Sequence, residues 1–333
     1  MIKVCNLTKE FKTNKKYPGF SGALKSFFSK EYTIKRAVDS MSFQINDGEV
    51  VGYIGSNGAG KSTTIKMMTG ILTPTSGKVE VDGIIPYEER TKNAMNIGVV
   101  FGQRTQLWWD LPLSESFSLL RDIYGVTEEE YKERMKFFND VLEIDEFMLS
   151  PVRTLSLGQR MRADLAASLI HNPKILYLDE PTIGLDVVVK EKVRNAIKEI
   201  NSKYGTTVIL TTHDLEDIEE LCNRIIIIDK GVKIYDGSLK EIKDKYGYMT
   251  TAVIQIKQSE VKSCTDVNEH FNLSLEDLNA QFEEGKIIVN FNKNKVSATD
   301  VIQFYMKNYN LLDFSLKETS IDDIIKRIYR KEV

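Results

Sequence analysis

One short segment carries residue types that suit the binding of a polyphosphate. Residues 55–63 follow a segment, 49–54, that is predicted to be a buried strand, and they fit the pattern G-x-x-x-x-G-K-[ST]. Small residues let successive backbone N–H groups converge on β- and γ-phosphates, and the N-terminus of a following helix adds a positive dipole end. The lysine supplies a mobile charge, and the serine supplies a magnesium ligand. The predicted phosphate-binding residues are Gly55, Ser56, Asn57, Gly58, Ala59, Gly60, Lys61, Ser62 and Thr63.

A second segment places two acids at the end of an apolar strand. Residues 175–180 read Ile-Leu-Tyr-Leu-Asp-Glu. Phosphoryl transfer depends mostly on positioning and on charge neutralisation, so two adjacent carboxylates can serve different tasks. We expect Asp179 to hold magnesium and Glu180 to orient and polarise the attacking water. Taken alone, such acids are also found as helix caps or as solvated loop residues.

The hydrophobic pattern predicts the elements that bring these segments together. From residue 37 to about residue 246, short apolar strands alternate with stretches of helical length, which predicts parallel strands joined by helical crossovers. From about residue 248 the pattern changes to alternating strands and two helical stretches. We interpret this last region as a small separate α/β unit with a role in packing or dimer contact, because it shows no catalytic constellation.

Composition narrows the classes of protein. The 333 residues include 45 basic and 48 acidic side chains, 42% hydrophobic residues and 28% charged residues. These values are typical of a soluble globular protein and give no reason to expect nucleic-acid binding. No apolar run reaches the ~18 to 20 residues of a membrane helix, and the N-terminus lacks a secretory signal, so we expect a cytosolic protein. Cys5, Cys222 and Cys264 are too widely spaced for a metal-binding pair, and we expect reduced thiols.

Further motifs resemble those of one family, in type and in order. The stretch Leu155-Ser156-Leu157-Gly158-Gln159 precedes a helix expected at 160–170 and resembles the signature motif of ATP-binding cassette (ABC) ATPases. The family's Q-loop, D-loop and switch histidine are matched by Gln103, by Gly184-Leu185-Asp186 and by His213. The resemblance covers residues 1–246 and implies the α/β fold of a P-loop nucleotidase of the ABC type. It places a helical subdomain at about 104–170 and leaves the small C-terminal α/β domain at 247–333.

The resemblance also implies a reaction shared between two subunits. In this family two cassettes close head to tail, and each ATP lies between one subunit's phosphate loop and the other's signature segment. Carried over to this chain, the resemblance implies that the catalytic residues are Glu180, His213 and Gln103 and that the magnesium ligands are Ser62, Gln103 and Asp179. The residues implied to act on the partner's ATP are Ser156, Gly158 and Gln159, and Asp186 is the implied D-loop residue. The implied cofactors are ATP and Mg²⁺. Phe11 is the expected aromatic against adenine, with Tyr17 or Tyr32 as alternatives.

The function that the resemblance implies is transport. The chain is expected to be the ATP-hydrolysing subunit of an ABC transporter, peripheral to the cytoplasmic face of the cell membrane. Its expected partners are a separate integral membrane permease and a second ATP-binding subunit, identical or a sibling. Residues 181–186 and the mixed α/β tail resemble exporters of drugs, antibiotics and cell-envelope components. The alternatives are an importer subunit and a nucleotide-gated binding module with little turnover.

Three features of the sequence leave open questions. Leu157 stands where the family's signature usually has glycine. Residues 13–36 form a basic-aromatic insertion that is either a contact with an anionic membrane surface or permease helix, or a solvated loop. The loop with Trp108, Trp109 and Asp110 is either a dock for a permease helix or local packing.

Overall fold

The computed structural model describes residues 1–14, 32–102, 104–256, 267–283 and 285–330. These residues divide into two compact units, Met1–Gly237 and Ser238–Val333. The division precedes the helix Leu239–Tyr246, which the sequence grouped with the first 246 residues. Gln103, Tyr17, Cys264 and residues 15–31 of the insertion lie outside the described residues. Among the helices that the structure describes, none has both the length and the apolar character needed to cross a bilayer.

The first unit is built on two sheets. A three-stranded antiparallel sheet has the order β2-β1-β4 and contains Ile2–Asn14 (β1), Tyr32–Ile45 (β2) and Ser76–Val81 (β4). A six-stranded sheet has the order β5-β6-β7-β3-β8-β9 and contains Val50–Gly55 (β3), Ile97–Phe101 (β5), Ile175–Asp179 (β6), Thr207–Thr211 (β7), Arg224–Asp229 (β8) and Val232–Ser238 (β9). The pairs from β5 to β8 are parallel. The run Ile225, Ile226, Ile227 and Ile228 is fully buried, as expected for a parallel strand covered on both faces.

Helices of the first unit follow the strands as crossovers or form the region between β5 and β6. They are Lys61–Met68 (α1), Arg90–Ala94 (α2), Leu113–Tyr124 (α3), Glu128–Leu142 (α4), Leu157–Leu169 (α5), Val187–Tyr204 (α6) and Leu215–Leu221 (α7). The sequence placed the start of α5 at Arg160, which is three residues too late. Ser156 caps this helix, because its hydroxyl accepts a hydrogen bond from the Gln159 N–H and the Gln159 side chain returns one.

The second unit is a four-stranded antiparallel sheet of order β11-β12-β10-β13 with helices. Its elements are Leu239–Tyr246 (α8), Met249–Ile256 (β10), Val267–His270 (α9), Leu278–Glu283 (β11), Lys286–Asn292 (β12), Ala298–Asn308 (α10), Leu311–Glu318 (β13) and Ile321–Arg330 (α11). One sheet face is apolar and packs with Val301 and Tyr305 of α10. The register places Phe314 and Leu316 of β13 opposite the buried Ile254 and Ala252, but burial does not alternate along this edge strand, and Phe314 is 46% exposed.

Candidate nucleotide site

The parallel sheet brings the predicted segments to one edge. Strands β6, β7 and β3 are neighbours, and the acid pair, His213 and the phosphate loop follow their carboxyl ends. In open α/β sheets this edge is where ligands bind. A cleft of about 420 Å³ opens there. Its lining residues are Phe11, Lys35, Ala37, Asn57, Gly58, Gly60, Lys61, Ser62, Thr63, Asp179, Glu180 and His213.

The phosphate loop depends on glycine where its backbone turns. Gly60, the residue that precedes α1, has a φ of +109°, a region that side chains disfavour. A methyl group on Gly60 would lie 2.5 Å from the carbonyl oxygen of Ala37, which leaves no room for any side chain. The buried Ala59 closes the turn, because its N–H donates to the Ser56 carbonyl at 3.0 Å. The loop is therefore fixed by its own backbone contacts, with helix α1 starting directly behind it.

Lys61 is the cation inside this loop. Its residue is 8% exposed, and its ammonium donates to the carbonyl of Gly55 at 2.6 Å. Burial lowers the pKa of Lys61, while the nearby carboxylates of Glu180 and Asp179 act in the opposite direction. The ammonium is thus held by neutral carbonyls, which an anionic ligand can replace as a stronger partner.

Asp179 and Ser62 form a pair of oxygens suited to a hard cation. Ser62 Oγ donates to Asp179 Oδ2 at 3.2 Å, and the hydroxyl of Thr211 donates to the other carboxylate oxygen. Two adjacent ligands of an octahedral Mg²⁺, each at about 2.1 Å, are separated by about 3.0 Å. The observed spacing is close to that value, so the two side chains fit neighbouring positions on such an ion. No cluster of three or more His, Cys, Asp or Glu side chains that could hold a metal lies in the described part of the chain.

Glu180 faces His213 across the mouth of the cleft. His213 Nε2 lies 3.1 Å from Glu180 Oε1, and the His213 backbone N–H donates to Oε2 at 3.2 Å. The contact between Nε2 and Oε1 is close enough for an ion pair but does not have the geometry of a hydrogen bond. The buried Oε1 therefore accepts no hydrogen bond from the described residues. Burial raises the pKa of Glu180, with His213 opposing it. A carboxylate with raised proton affinity that lines the cleft can orient a water molecule and take its proton.

The backbone at Glu180 is in the left-handed region, with a φ of +60°. This is uncommon for a residue with a side chain, and such conformations concentrate at functional sites. Its N–H still donates to the Thr211 carbonyl at 2.9 Å, so the turn is anchored to the neighbouring strand β7. The turn therefore changes the chain direction directly after Asp179 without losing the sheet contact.

The signature residues are located elsewhere on the first unit. Ser156, Gly158, Gln159 and Asp186 are not among the described residues that line the cleft. Instead, the start of α5 packs against the start of α6: a methyl group on Gly158 would lie 3.0 Å from Val189 Cγ1. Asp186 caps α6 by accepting from the Val189 N–H at 3.0 Å. A single chain therefore presents the phosphate-loop set and the signature set separately.

The structure shows where the unusual signature residue lies. Leu157 is 38% exposed, and its Cδ2 would be 3.1 Å from a methyl group placed on Gly184. Gly184 has a φ of +73° and belongs to the turn before Asp186. The Leu157 side chain thus covers the D-loop turn of its own chain, which joins the signature segment to that turn by an apolar contact.

Two lining residues of the cleft, Lys35 and Ala37, and one buried acid outside the cleft, Asp164, were missed from the sequence. Lys35 lines the cleft directly opposite Phe11 in the β1–β2 pairing, and Tyr32, an alternative aromatic, is not among the lining residues. Asp164 of α5 is 6% exposed and accepts from Thr105 Oγ1 at 2.8 Å and from the Gln106 N–H at 3.2 Å. A lysine within a basic stretch and an acid within a helix carry no sequence signal of these contacts, which come from distant segments.

The tryptophan loop combines packing with exposure. Trp108 and Trp109 are 39% and 49% exposed. The guanidinium of Arg160 lies 5.6 Å from the centre of the Trp109 ring, and Arg153 pairs with Asp110 at 2.6 Å. The loop is therefore held against the signature helix while leaving aromatic surface in solvent.

Comparison with known proteins agrees with this architecture. The family described as ABC transporter matches residues 38–183. The chain is 31% identical to the linearmycin resistance ATP-binding protein LnrL of Bacillus subtilis (strain 168), over 88% of this chain and 93% of that protein. It is also 31% identical to the methionine import ATP-binding protein MetN 2 of Listeria innocua, over 78% of this chain and 76% of that protein.

A solved structure supplies the corresponding comparison of folds. The dimeric post-hydrolysis state of the ATP-binding cassette MJ0796 bound to ADP and Pi has a TM-score of 0.60 and 29% identity, covering 72% of this chain and 99% of that one. The predicted family and the predicted α/β ATPase fold are both confirmed. The chain belongs to the ATP-binding subunits of ABC transporters, whose reaction is ATP hydrolysis.

Proposed function

We propose that this subunit hydrolyses ATP to power an exporter, by closing with a second ATP-binding subunit beneath a separate integral membrane permease. The observation that carries the proposal is the partly buried Glu180 carboxylate, which lines the cleft beside the phosphate loop and lies 3.1 Å from His213. In this proposal, Lys61 and the backbone N–H groups of the phosphate loop bind the phosphates of ATP. Glu180 positions the attacking water and accepts its proton, and His213 contacts the γ-phosphate and orients Glu180.

Magnesium belongs to this proposal. Ser62 and Asp179 would hold the ion, and their 3.2 Å spacing supports the assignment. The ion would neutralise charge on the phosphates. Gln103, the third proposed ligand and a catalytic contact, lies outside the described residues. In the sequence it comes two residues after the end of β5, and β5 is the neighbour of β6 in the sheet. Phe11 lines the cleft and is the proposed platform for adenine.

The proposed partner subunit supplies the other half of each site. Ser156, Gly158 and Gln159 would act on the ATP of the partner, because none of them lines the cleft of its own chain. Asp186 would lie at the same interface. The MJ0796 cassette is dimeric in its post-hydrolysis state, which supports this arrangement for a cassette of the same fold. The second subunit is either another copy of this chain or a sibling.

Export is supported by the similarity to LnrL, which matches this chain over more residues than MetN 2 does. LnrL is named as a resistance protein, and the match covers 93% of it. The second candidate is import, which the methionine import name of MetN 2 favours. In either direction the exposed Trp108 and Trp109 are the proposed dock for a cytoplasmic permease helix, which keeps the subunit peripheral to the cytoplasmic face of the membrane.

The decisive experiment uses Glu180→Gln. The variant should keep ATP binding and lower phosphate release by about 100-fold to 10,000-fold, the contribution of a general base. Because ATP then persists, light scattering should show an ATP-dependent dimer. Glu133→Gln, which changes an exposed glutamate on α4, is the matched control and should behave as wild type.

Other outcomes would overturn specific parts of the proposal. Hydrolysis by Glu180→Gln at the wild-type rate would show that another group positions the water. A wild-type protein that dimerises with ATP but releases no phosphate, with or without its permease, would be a nucleotide-gated binding module.

A further inference from the structure

The second unit contains a polar cleft of about 600 Å³ that is separate from the nucleotide site. It lies between one face of the antiparallel sheet and helix α11. Its lining residues are Met249, Thr251, Asn279, Asn290, Lys317, Glu318, Thr319, Asp323, Lys326, Arg327 and Arg330. None of them lines the nucleotide cleft described above.

The sheet contributes a row of polar side chains, one from each strand. Thr251 of β10 lies opposite Lys317 of β13 and Asn290 of β12, and Asn290 lies opposite Asn279 of β11. Residues directly opposite in adjacent strands share a face. Thr251 Oγ1 donates to Asn290 Oδ1 at 2.6 Å, and Asn290 Nδ2 approaches Asn279 Oδ1 at 3.4 Å. The floor of the cleft is therefore a connected set of hydroxyl and amide groups, on the face opposite the apolar core.

Helix α11 contributes charge. Its apolar side chains Ile321, Ile324 and Ile325 are buried, so the helix is anchored on one side. Its polar side brings Lys326 and Arg327 to the cleft. Together with Lys317 and Arg330 the lining has four basic side chains against two acidic ones.

Two of these cations have no acidic partner within the described residues. Lys326 pairs with Asp322, one turn earlier in its helix. By contrast, the described residues place no carboxylate within 4.0 Å of Lys317 or Arg327. Arg327 is also partly buried, which is costly for a charge without a counter-ion. The cleft thus combines unpaired positive charge with fixed hydrogen-bonding groups.

We propose that this cleft binds a small polar anion that carries phosphate or carboxylate groups. The guanidinium fork of Arg327 and the ammonium of Lys317 would receive the anionic group. Thr251, Asn279 and Asn290 would recognise hydroxyl or amide groups on the rest of the ligand. The volume falls within the ~300–1,000 Å³ range of small-molecule sites, and the polar lining selects against an apolar ligand.

The test measures binding of pyrophosphate and of citrate to the full chain by isothermal titration calorimetry. All proteins carry Lys61→Ala, so that the phosphate loop does not bind the probe. We expect saturable binding of at least one probe with one site per chain. Pyrophosphate alone would identify a phosphate ligand, and citrate alone a carboxylate ligand.

Variants locate the binding in the cleft. Lys317→Ala and Arg327→Gln should each weaken binding at least tenfold, whereas Lys307→Ala, which removes an exposed lysine on α10, should leave it unchanged. Lys317 is exposed, so its variant should fold even if the Arg327 variant does not. The proposal is overturned if neither pyrophosphate nor citrate binds at millimolar concentration. Binding to phosphatidylserine vesicles without binding of either probe would overturn it in the same way. It is equally overturned if Lys317→Ala binds as well as Lys307→Ala.

Discussion

The phosphate side and the signature side of the first unit are organised in different ways. On the phosphate side, side chains from three neighbouring strand ends contact one another: Ser62 bonds to Asp179, and Glu180 approaches His213. On the signature side, Ser156 and Gln159 bond to each other within one helix turn. The first arrangement is held together by long-range contacts within one chain. In the second, the hydrogen bonds lie within the helix start itself, and helix starts leave N–H groups without partners that can meet an anion from outside.

Lys61→Ala should break the phosphate side with the largest effect. The change removes the buried cation that lies against the Gly55 carbonyl and is the proposed charge partner of the ATP phosphates. Loss of one partner from a buried charge pair costs roughly 3–4 kcal/mol, which is about 100-fold to 1,000-fold in affinity. Titration calorimetry with ATP measures it. Lys78→Ala, on an exposed strand position, is the control, and equal affinities for the two variants would show that Lys61 does not bind nucleotide.

Asp164→Asn tests the hydrogen bonds that connect helix α5, which begins at the signature segment, to residues 105 and 106 after β5. Burial raises the pKa of Asp164 to about 6, against the opposing hydrogen bonds from Thr105 and Gln106. Between about pH 4 and pH 6 the Asp164 carboxyl group therefore keeps its proton in the folded chain, whereas it has lost that proton in the unfolded chain, where its pKa is near 3.8. Stability contributed by Asp164 is complete below about pH 4 and is lost as the pH rises through about 6. The loss approaches roughly 3 kcal/mol, from 1.36 kcal/mol per pKa unit.

The measurement is the free energy of unfolding of wild type and Asp164→Asn in urea, at about pH 4 and about pH 7. From pH 4 to pH 7 the wild type should lose stability relative to Asp164→Asn, so the free energy of unfolding of the variant minus that of the wild type should rise by up to roughly 3 kcal/mol. His171 titrates in the same range with the opposite sign, because burial lowers its pKa to about 4. Its contribution is present in both proteins and cancels in the difference. Parallel pH profiles would show that folding does not shift the pKa of Asp164.

The contrast between the two sides also explains what the sequence could predict. Contiguous residues define the phosphate loop and the pair Asp179–Glu180, and the order of parallel strands brings them together. Asp164 was missed because its partner Thr105 lies 59 residues away and neither residue type is diagnostic. The polar cleft of the second unit was missed for the same reason, since each strand supplies one ordinary residue and only the register aligns them. The start of α5 was misplaced because the capping box at Ser156 was not recognised.

Ser156→Ala gives the smallest effect and sharpens the comparison most directly, because the chain offers a matched control. Thr127 begins α4 with the same kind of capping box, in which its side chain and Glu130 exchange hydrogen bonds. Removing either cap should lower the free energy of unfolding by about 1 kcal/mol. Only Ser156→Ala should also lower the ATPase rate, by about tenfold, or about 1.4 kcal/mol, because only Ser156 is proposed to reach the ATP of a partner.

Phosphate release and urea unfolding on both variants, at one protein concentration, separate the two roles of Ser156. Equal losses of stability with a slower ATPase in Ser156→Ala alone would mean that the hydroxyl both caps α5 and acts on nucleotide. Equal losses of stability with unchanged ATPase rates in both would confine Ser156 to capping. In that case the signature side would act through the backbone N–H groups of the first turn of α5, and Gly158, where an added methyl would lie 3.0 Å from Val189, would be the residue that sets their position.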